Sequence, residues 1–434
     1  MSGGLRMQRY WKRIRLVFFC MILLIYSTPL PAAAWQGDWL ELAFIRNGKL
    51  WVKQGGQERP ITADGIASWP SWSPDGKWIA YLRRESVQAD LAQLWLYDTT
   101  KGRTYQVQDA VQDVNWSPTQ NLLAYRIDSI LTVTDLRDGH PRRAQEVVPG
   151  VGEYSWLPDG SGFLVSAAGS LGPMGWSPSE LYKVIASPDE ATKQVHKFYT
   201  LPTTFRFQGQ QFLAVGTSRF KWSADGKWIS FLATQTASLS ADENVLCLLS
   251  SDGKTFVPTA EMLAYDRWFK WSPQDATLGV IAGIGRFSLV GKRLQLFGPP
   301  FGHGRTLTPN KQADRSFDWL DAQTLLVSRS AEPASDHEPL ANVMPKIFQV
   351  HGKDGTAQAI SSPQAGAGDF DPQVLSGGQA ITWVRWDRRR ADIWVADRDG
   401  SHAKRWVEGI GEGQLSVEHW HWDSVISWKK QHDR

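Results

Sequence analysis

Beyond residue 40 the chain alternates short apolar runs with clusters of turn-forming residues. Trp78-Ile79-Ala80-Tyr81-Leu82 and Leu94-Trp95-Leu96-Tyr97 are typical runs. Aromatic and branched residues bounded by Gly, Pro, Asp and Ser predict β-strands. The runs recur. Trp72 opens WSPDGKWIAYL, Trp116 opens WSPTQNLLAYR, Trp156 opens WLPDGSGFLVS, Trp222 opens WSADGKWISFL, Trp271 opens WSPQDATLGVI and Trp319 opens WLDAQTLLVSR. A weaker copy starts at Pro372, and a shortened one, HWDSVISWKK, surrounds Trp422. Between the six clear copies the tryptophans are 44, 40, 66, 49 and 48 residues apart.

One unit can be read residue by residue. Ser73-Pro74-Asp75-Gly76 places each residue where a type I turn favours it. A short strand ends in Trp72 before the turn and an apolar strand follows it. A third strand, Leu94–Asp98, and a more polar fourth, Thr104–Val107, complete the unit. The third-strand pattern returns as ELYKVIA, NVLCLLSSDG, KRLQLFG, KIFQVHGKDG and DIWVADRDG. Four antiparallel strands in about 45 residues make one propeller blade. The fold class expected is therefore all-β, a β-propeller of four-stranded antiparallel blades.

Residues 39–62 read as three strands that lack an inner partner, and the C-terminal segment SVEHWHWD offers one. Joining the ends closes the ring and removes two sheet edges. Seven internal units and this composite give eight blades; seven is the alternative count, because the seventh copy is weak. The long interval after Trp156 implies an insertion, with Gly169–Ser179 and Thr203–Gln211 expected as loops. The 23 Trp outnumber the 18 Phe and 10 Tyr. A flat side chain ending each inner strand fills the wedge between blades, which accounts for the excess.

The formal charge of +3 is dominated by the N-terminus. Residues 1–34 hold Arg6, Arg9, Lys12, Arg13 and Arg15 and no acid, so removing their +5 leaves −2. A nucleic-acid binder would keep a basic surplus on its folded domain, so no nucleic-acid partner is expected. Basic residues, the apolar run Leu16–Tyr26 and Ala32-Ala33-Ala34 before Trp35 form a secretory signal layout. The expected organisation is a signal peptide at 1–34, or an uncleaved anchor, followed by a single propeller at 35–434. The protein is then exported, to the periplasm or the cell surface, and touches a membrane only through that segment if uncleaved. Past it only Cys247 remains, so no internal disulfide forms.

The WSPDGK repeats resemble the WD40-like repeats of TolB-type β-propellers. The resemblance spans residues 40 to about 428. It implies an exported scaffold that binds proteins in the cell envelope. It says little about function, because fold does not fix function. Unlike TolB, this sequence leaves no room for an α/β domain before the propeller.

Catalytic signatures are sparse. Ala168-Gly169-Ser170-Leu171-Gly172 approaches a nucleophile elbow but lacks its first Gly. His419 and His421 would share one face of a strand, without further recognisable metal ligands. No metal and no cofactor are expected. The residues that point at a surface precede the repeat Trp, where the inner strand opens at one end of the channel. They are Asp113, Asn115, Glu153, Arg219, Lys221, Arg267, Lys270, Asp318, His419 and His421. Such a polar, mixed-sign funnel suits a peptide or small ligand. In the insertion, Met174, Trp176, Phe205 and Phe207, with Leu171, are expected as an exposed anchor patch. The reading is a monomeric, non-catalytic scaffold for a protein or peptide. The alternative is a glycan- or wall-binding module, or a carbohydrate-active enzyme using Asp318, Asp369 and Asp371, which would need two carboxylates about 5–10 Å apart.

Overall fold

In the turn between the first two strands of a repeat, the side chains replace missing backbone partners. Ser73 donates its hydroxyl to Asp75 at 2.7 Å and accepts from the Trp78 amide at 3.0 Å, while Asp75 accepts from the Lys77 amide. Gly76, at φ 66°, takes the left-handed conformation that closes the turn. Ser223 and Asp225 repeat the arrangement in WSADGK. The motif is therefore a self-capped hairpin, and it fixes the register Trp72↔Ile79 that follows.

The computed structural model describes residues 39–430 apart from 87, 90, 186–192, 288, 334–342 and 412–420. The leader at 1–34, and His419, lie outside the described residues. The rest forms an eight-bladed β-propeller of four-stranded antiparallel sheets. In the first blade the strands run outward as Ile66–Trp72, Trp78–Arg84, Gln93–Asp98 and Arg103–Gln108. The following blades have inner strands Val111–Trp116, Glu153–Trp156, Lys221–Trp222, Phe269–Trp271, Gln312–Trp319 and Gly368–Leu375. The eighth blade is composite. Ile426–Trp428 lies innermost, beside Leu42–Arg46, Lys49–Gln54 and Gln57–Pro60. This corrects the expected inner strand: Trp422–Ser424 is a single 3-10 turn, and the strand comes after it.

The repeat tryptophans pack between blades, and five of them also tie their blade to the one before. The indole of Trp116 donates to the carbonyl of Ser71, Trp156 to Asn115, Trp271 to Lys221 and Trp319 to Lys270, at 3.0–3.2 Å. Trp72 donates to Ser427 at 3.0 Å, which carries the pattern across the closure. In each case the acceptor directly precedes the residue at the repeat position. Trp428 thus holds that position in the eighth blade, and Val374 holds it in the seventh, paired to Ile381 as Trp72 is to Ile79. Buried Leu, Ile, Val and Phe from the middle strands fill the space behind these tryptophans. Cys247 is buried among them and unpaired.

The insertion forms two hairpins rather than loops, Leu171–Gly172 with Gly175–Trp176 and Thr204–Phe207 with Gln210–Leu213.

Candidate functional site

Alternation along a strand puts positions one and three before the repeat residue on the same face. That face lines the channel. The third position back is Trp69, Asp113, Glu153, Arg219, Trp268, Ser316 and Asp371 in the first seven blades, and all seven line one cavity of about 670 Å³ at the channel mouth. Trp69, Asp113 and Asp371 have φ of 52°, 52° and 48° and sit at breaks in the strand register. Such bulges re-aim a side chain, at a cost in backbone strain.

The first position back forms a second layer, with Asn115, Lys221, Lys270, Asp318 and Ser427 at this level. The sequence-derived channel residues thus fall into two layers. Asp113, Glu153 and Arg219 belong to the mouth, and Asn115, Lys221, Lys270 and Asp318 to the level behind it, with Lys221 still reaching the cavity. Arg267, one residue out of phase, also lines the cavity, and so does His421. His421 does not lie on a strand, as expected of it; it precedes the Trp422 turn and approaches Trp69 and Tyr265 at 6.0 Å each.

Ion pairs within and between blades surround this mouth. Arg126 binds Asp113 through Nε at 2.8 Å, and Arg219 reaches Asn115 Oδ1 at 3.1 Å and Asp113 Oδ1 at 3.4 Å. Arg267 pairs with Asp371 at 2.9 Å, and Lys270 with Asp318 at 3.0 Å. Lys221 donates to the carbonyls of Asp266 and Phe269 and lies 3.8 Å from the centre of the Phe269 ring. Burial pushes the Lys221 ammonium down to about 7, helped by Lys270, Arg267 and Arg219 and opposed by Asp266. Burial also raises Asp371, against the pull of Arg267 and Lys270. Glu153 differs from its neighbours. No hydrogen bond or ion pair holds its carboxyl among the described residues, and burial with the Asp113 charge pushes it up to about 7.

Aromatic rings form one wall. Trp69 is 43% exposed, and Tyr265 and Trp268 lie 4.7 Å apart beyond His421. Sequence reasoning misses Trp69, Trp268 and Trp422 because it places most tryptophans in the wedges, and it misses Tyr265 because that residue lies outside the repeat motif. The offset of three from the repeat Trp would have found the first two.

The anchor patch is only partly exposed. Leu171 and Met174 project at the hairpin tip. Phe205 instead packs on Phe212 at 5.2 Å and Phe256 at 5.5 Å, and Phe207 also joins the core. The second hairpin therefore covers the blade and offers no free aromatic patch. Of the three acids considered for glycoside chemistry, Asp369 is fully buried and bound by Arg385 at 2.7 and 2.9 Å. Asp318 is held by Lys270 and by the Val374 amide. Ser170, of the elbow-like string, bonds to Ser177 across the hairpin at 3.2 Å.

No protein-family model matches the chain, and no curated protein matches it. Solved structures do. Puromycin hydrolase is similar with a TM-score of 0.51 and 13% identity, over 81% of this chain and 55% of the hydrolase. A mutant of that enzyme complexed with PGG is similar with a TM-score of 0.50 at the same identity and coverage. At this identity the likeness shows the fold alone. The chain spans about half the length of the hydrolase. TolB from Acinetobacter baumannii aligns with a TM-score of 0.36 and 12% identity, over 92% of this chain and 69% of TolB, too loosely to carry an argument.

Proposed function

We propose that this protein is an exported β-propeller scaffold that binds a peptide or protein segment at the mouth of its channel. One observation carries the reading: the same repeat position from seven blades converges on one cavity that mixes both charges with exposed aromatic surface. Ligand pockets of several hundred Å³ with a few convergent polar groups are the usual form of a binding site. The TolB-like repeats support a scaffold role, and the basic, apolar and Ala-rich N-terminus supports export. The puromycin hydrolase likeness supplies a propeller precedent and no activity for this chain.

The test is capture of a partner from a cell-envelope extract by the purified protein, compared with Trp69→Ala. A stoichiometric partner lost in the variant supports the mouth as the site; a partner retained by it overturns that placement. A mature N-terminus at Trp35, read by mass spectrometry, supports export with cleavage. The wall of Trp69, His421, Tyr265 and Trp268 favours a second reading, a sugar stacked on those rings. Glycan-array binding abolished by Trp69→Ala would favour it over the peptide.

A further inference from the structure

Beside the mouth lies a smaller cavity of about 410 Å³, walled by Gly152, Glu153, Ala168, Trp176, Thr217 and Thr236 among others. It shares Glu153, Thr217 and Thr234 with the main cavity, so the two adjoin. We infer that it is a subsite for one cationic side chain, arginine or lysine, of a peptide held at the mouth; the inference rests on the peptide reading above.

Charge is the first argument. Among the described residues Glu153 is the only ionisable side chain lining the smaller cavity, and its carboxyl has no partner there. The other blades show what is missing. In the first, second, sixth and seventh blades an arginine of the second strand binds a nearby acid. These pairs are Arg83–Asp64, Arg126–Asp113, Arg329–Asp314 and Arg385–Asp369. In the third blade the second strand ends Ser166-Ala167, and Ser166 sits opposite Glu153. No cation comes from that strand, and Ser166 bonds instead to Thr217 of the fourth blade at 2.7 Å. A half-buried carboxylate that no hydrogen bond or ion pair compensates is costly. A ligand cation would complete the pair that the chain completes itself elsewhere.

Shape and surface are the second argument. The half-buried indole of Trp176, carried by the first inserted hairpin, gives the cavity an aromatic wall. A guanidinium or ammonium between an indole and a carboxylate gains from both. The hairpin tip, with exposed Leu171 and Met174, extends the same side for the ligand backbone. The field around Glu153 is otherwise balanced, with Asp113 and Asp266 raising its affinity for protons and Arg126 and Arg219 lowering it. Arg219 lines the larger cavity and not the smaller one.

The test uses two pentapeptides, acetyl-Ala-Gly-Arg-Gly-Ala-amide and its citrulline counterpart, which differ in charge and hardly in shape. They are titrated by calorimetry into the full chain, into Glu153→Gln and into Ala168→Arg. The arginine peptide is expected to bind about tenfold more tightly than the citrulline peptide. Glu153→Gln should bring the ratio near one. Ala168→Arg, at an exposed position on the cavity wall, should do the same by supplying an internal cation, and it serves if the first variant fails to fold. Equal affinities in the unmodified protein would overturn the subsite and leave the peptide reading standing. A preference that survives both variants would overturn its placement at Glu153. Failure of both peptides to bind at millimolar concentration would overturn the peptide reading and the subsite together.

Discussion

Replacing Glu153 by glutamine should stabilise the protein above neutral pH and leave it unchanged in mild acid. The folded carboxyl titrates at about 7 against an ordinary 4.5, because burial and the neighbouring Asp113 disfavour its charge. The folded state therefore holds this proton more tightly than the unfolded chain does. Its contribution is fully present below 4.5 and is lost as pH rises through 7. At 1.36 kcal/mol per unit, the interval corresponds to about 3 kcal/mol at most. Partial solvation at the cavity edge brings a realistic expectation to about 1–3 kcal/mol. Glutamine keeps the volume and removes the charge. Lys221 has the opposite linkage, its folded value being lowered to about 7, but it is common to both proteins and cancels in the difference. Urea unfolding followed by tryptophan fluorescence at about pH 4.5, 7 and 8.5 measures it. The variant should match the parent at the lowest pH and gain steadily to a plateau. A gain that does not change with pH, or a variant less stable at the highest pH, would refute the reasoning.

Three further outcomes follow from the packing. Asp314→Ala leaves Arg329, 2% exposed, without its carboxylate partner at 2.5 and 2.9 Å; urea unfolding should show a loss of about 3–5 kcal/mol, and Asp314→Leu with Arg329→Met should recover most of it. Trp271→Phe removes the 3.1 Å indole bond to the Lys221 carbonyl and should cost about 1–2 kcal/mol by the same measurement. Deleting residues from Val425 onward takes away the partner of Leu42–Phe44, and light scattering should then show oligomers formed through the bared edge.

The fold was legible because the repeat carries its own turn chemistry: Ser73, Asp75 and Gly76 dictate the hairpin and hence the register, wherever the motif recurs. The closing strand was misplaced because HWHWDSVISW offers three tryptophans. The Asp-Ser following Trp422 imitates the repeat, yet among the described residues it is Ile426–Trp428 that lies against Leu42, Ala43 and Phe44, all buried in the first strand. The inserted hairpins lack the motif, so nothing in their sequence distinguished strand from loop, and the burial of Phe205 depends on Phe256 more than fifty positions away. The channel acids and bases were legible as polar breaks before Trp. Their pairing across blades was not, because a partner such as Asp371 for Arg267 comes from a blade distant in sequence.

The composite eighth blade also sets a clock. Leu42–Arg46 is made early, and the strand that covers its inner edge begins at Ile426. At about 5–20 residues per second of synthesis, roughly 20–75 s pass between the two. Throughout that interval the inner edge of Leu42–Arg46, buried in the finished ring, has no strand to cover it. Ring closure is thus a terminal event, governed by how long a nascent edge stays solitary. The yield of folded protein should fall with the density of neighbouring ribosomes or translocation pores and rise with whatever occupies that edge in the meantime.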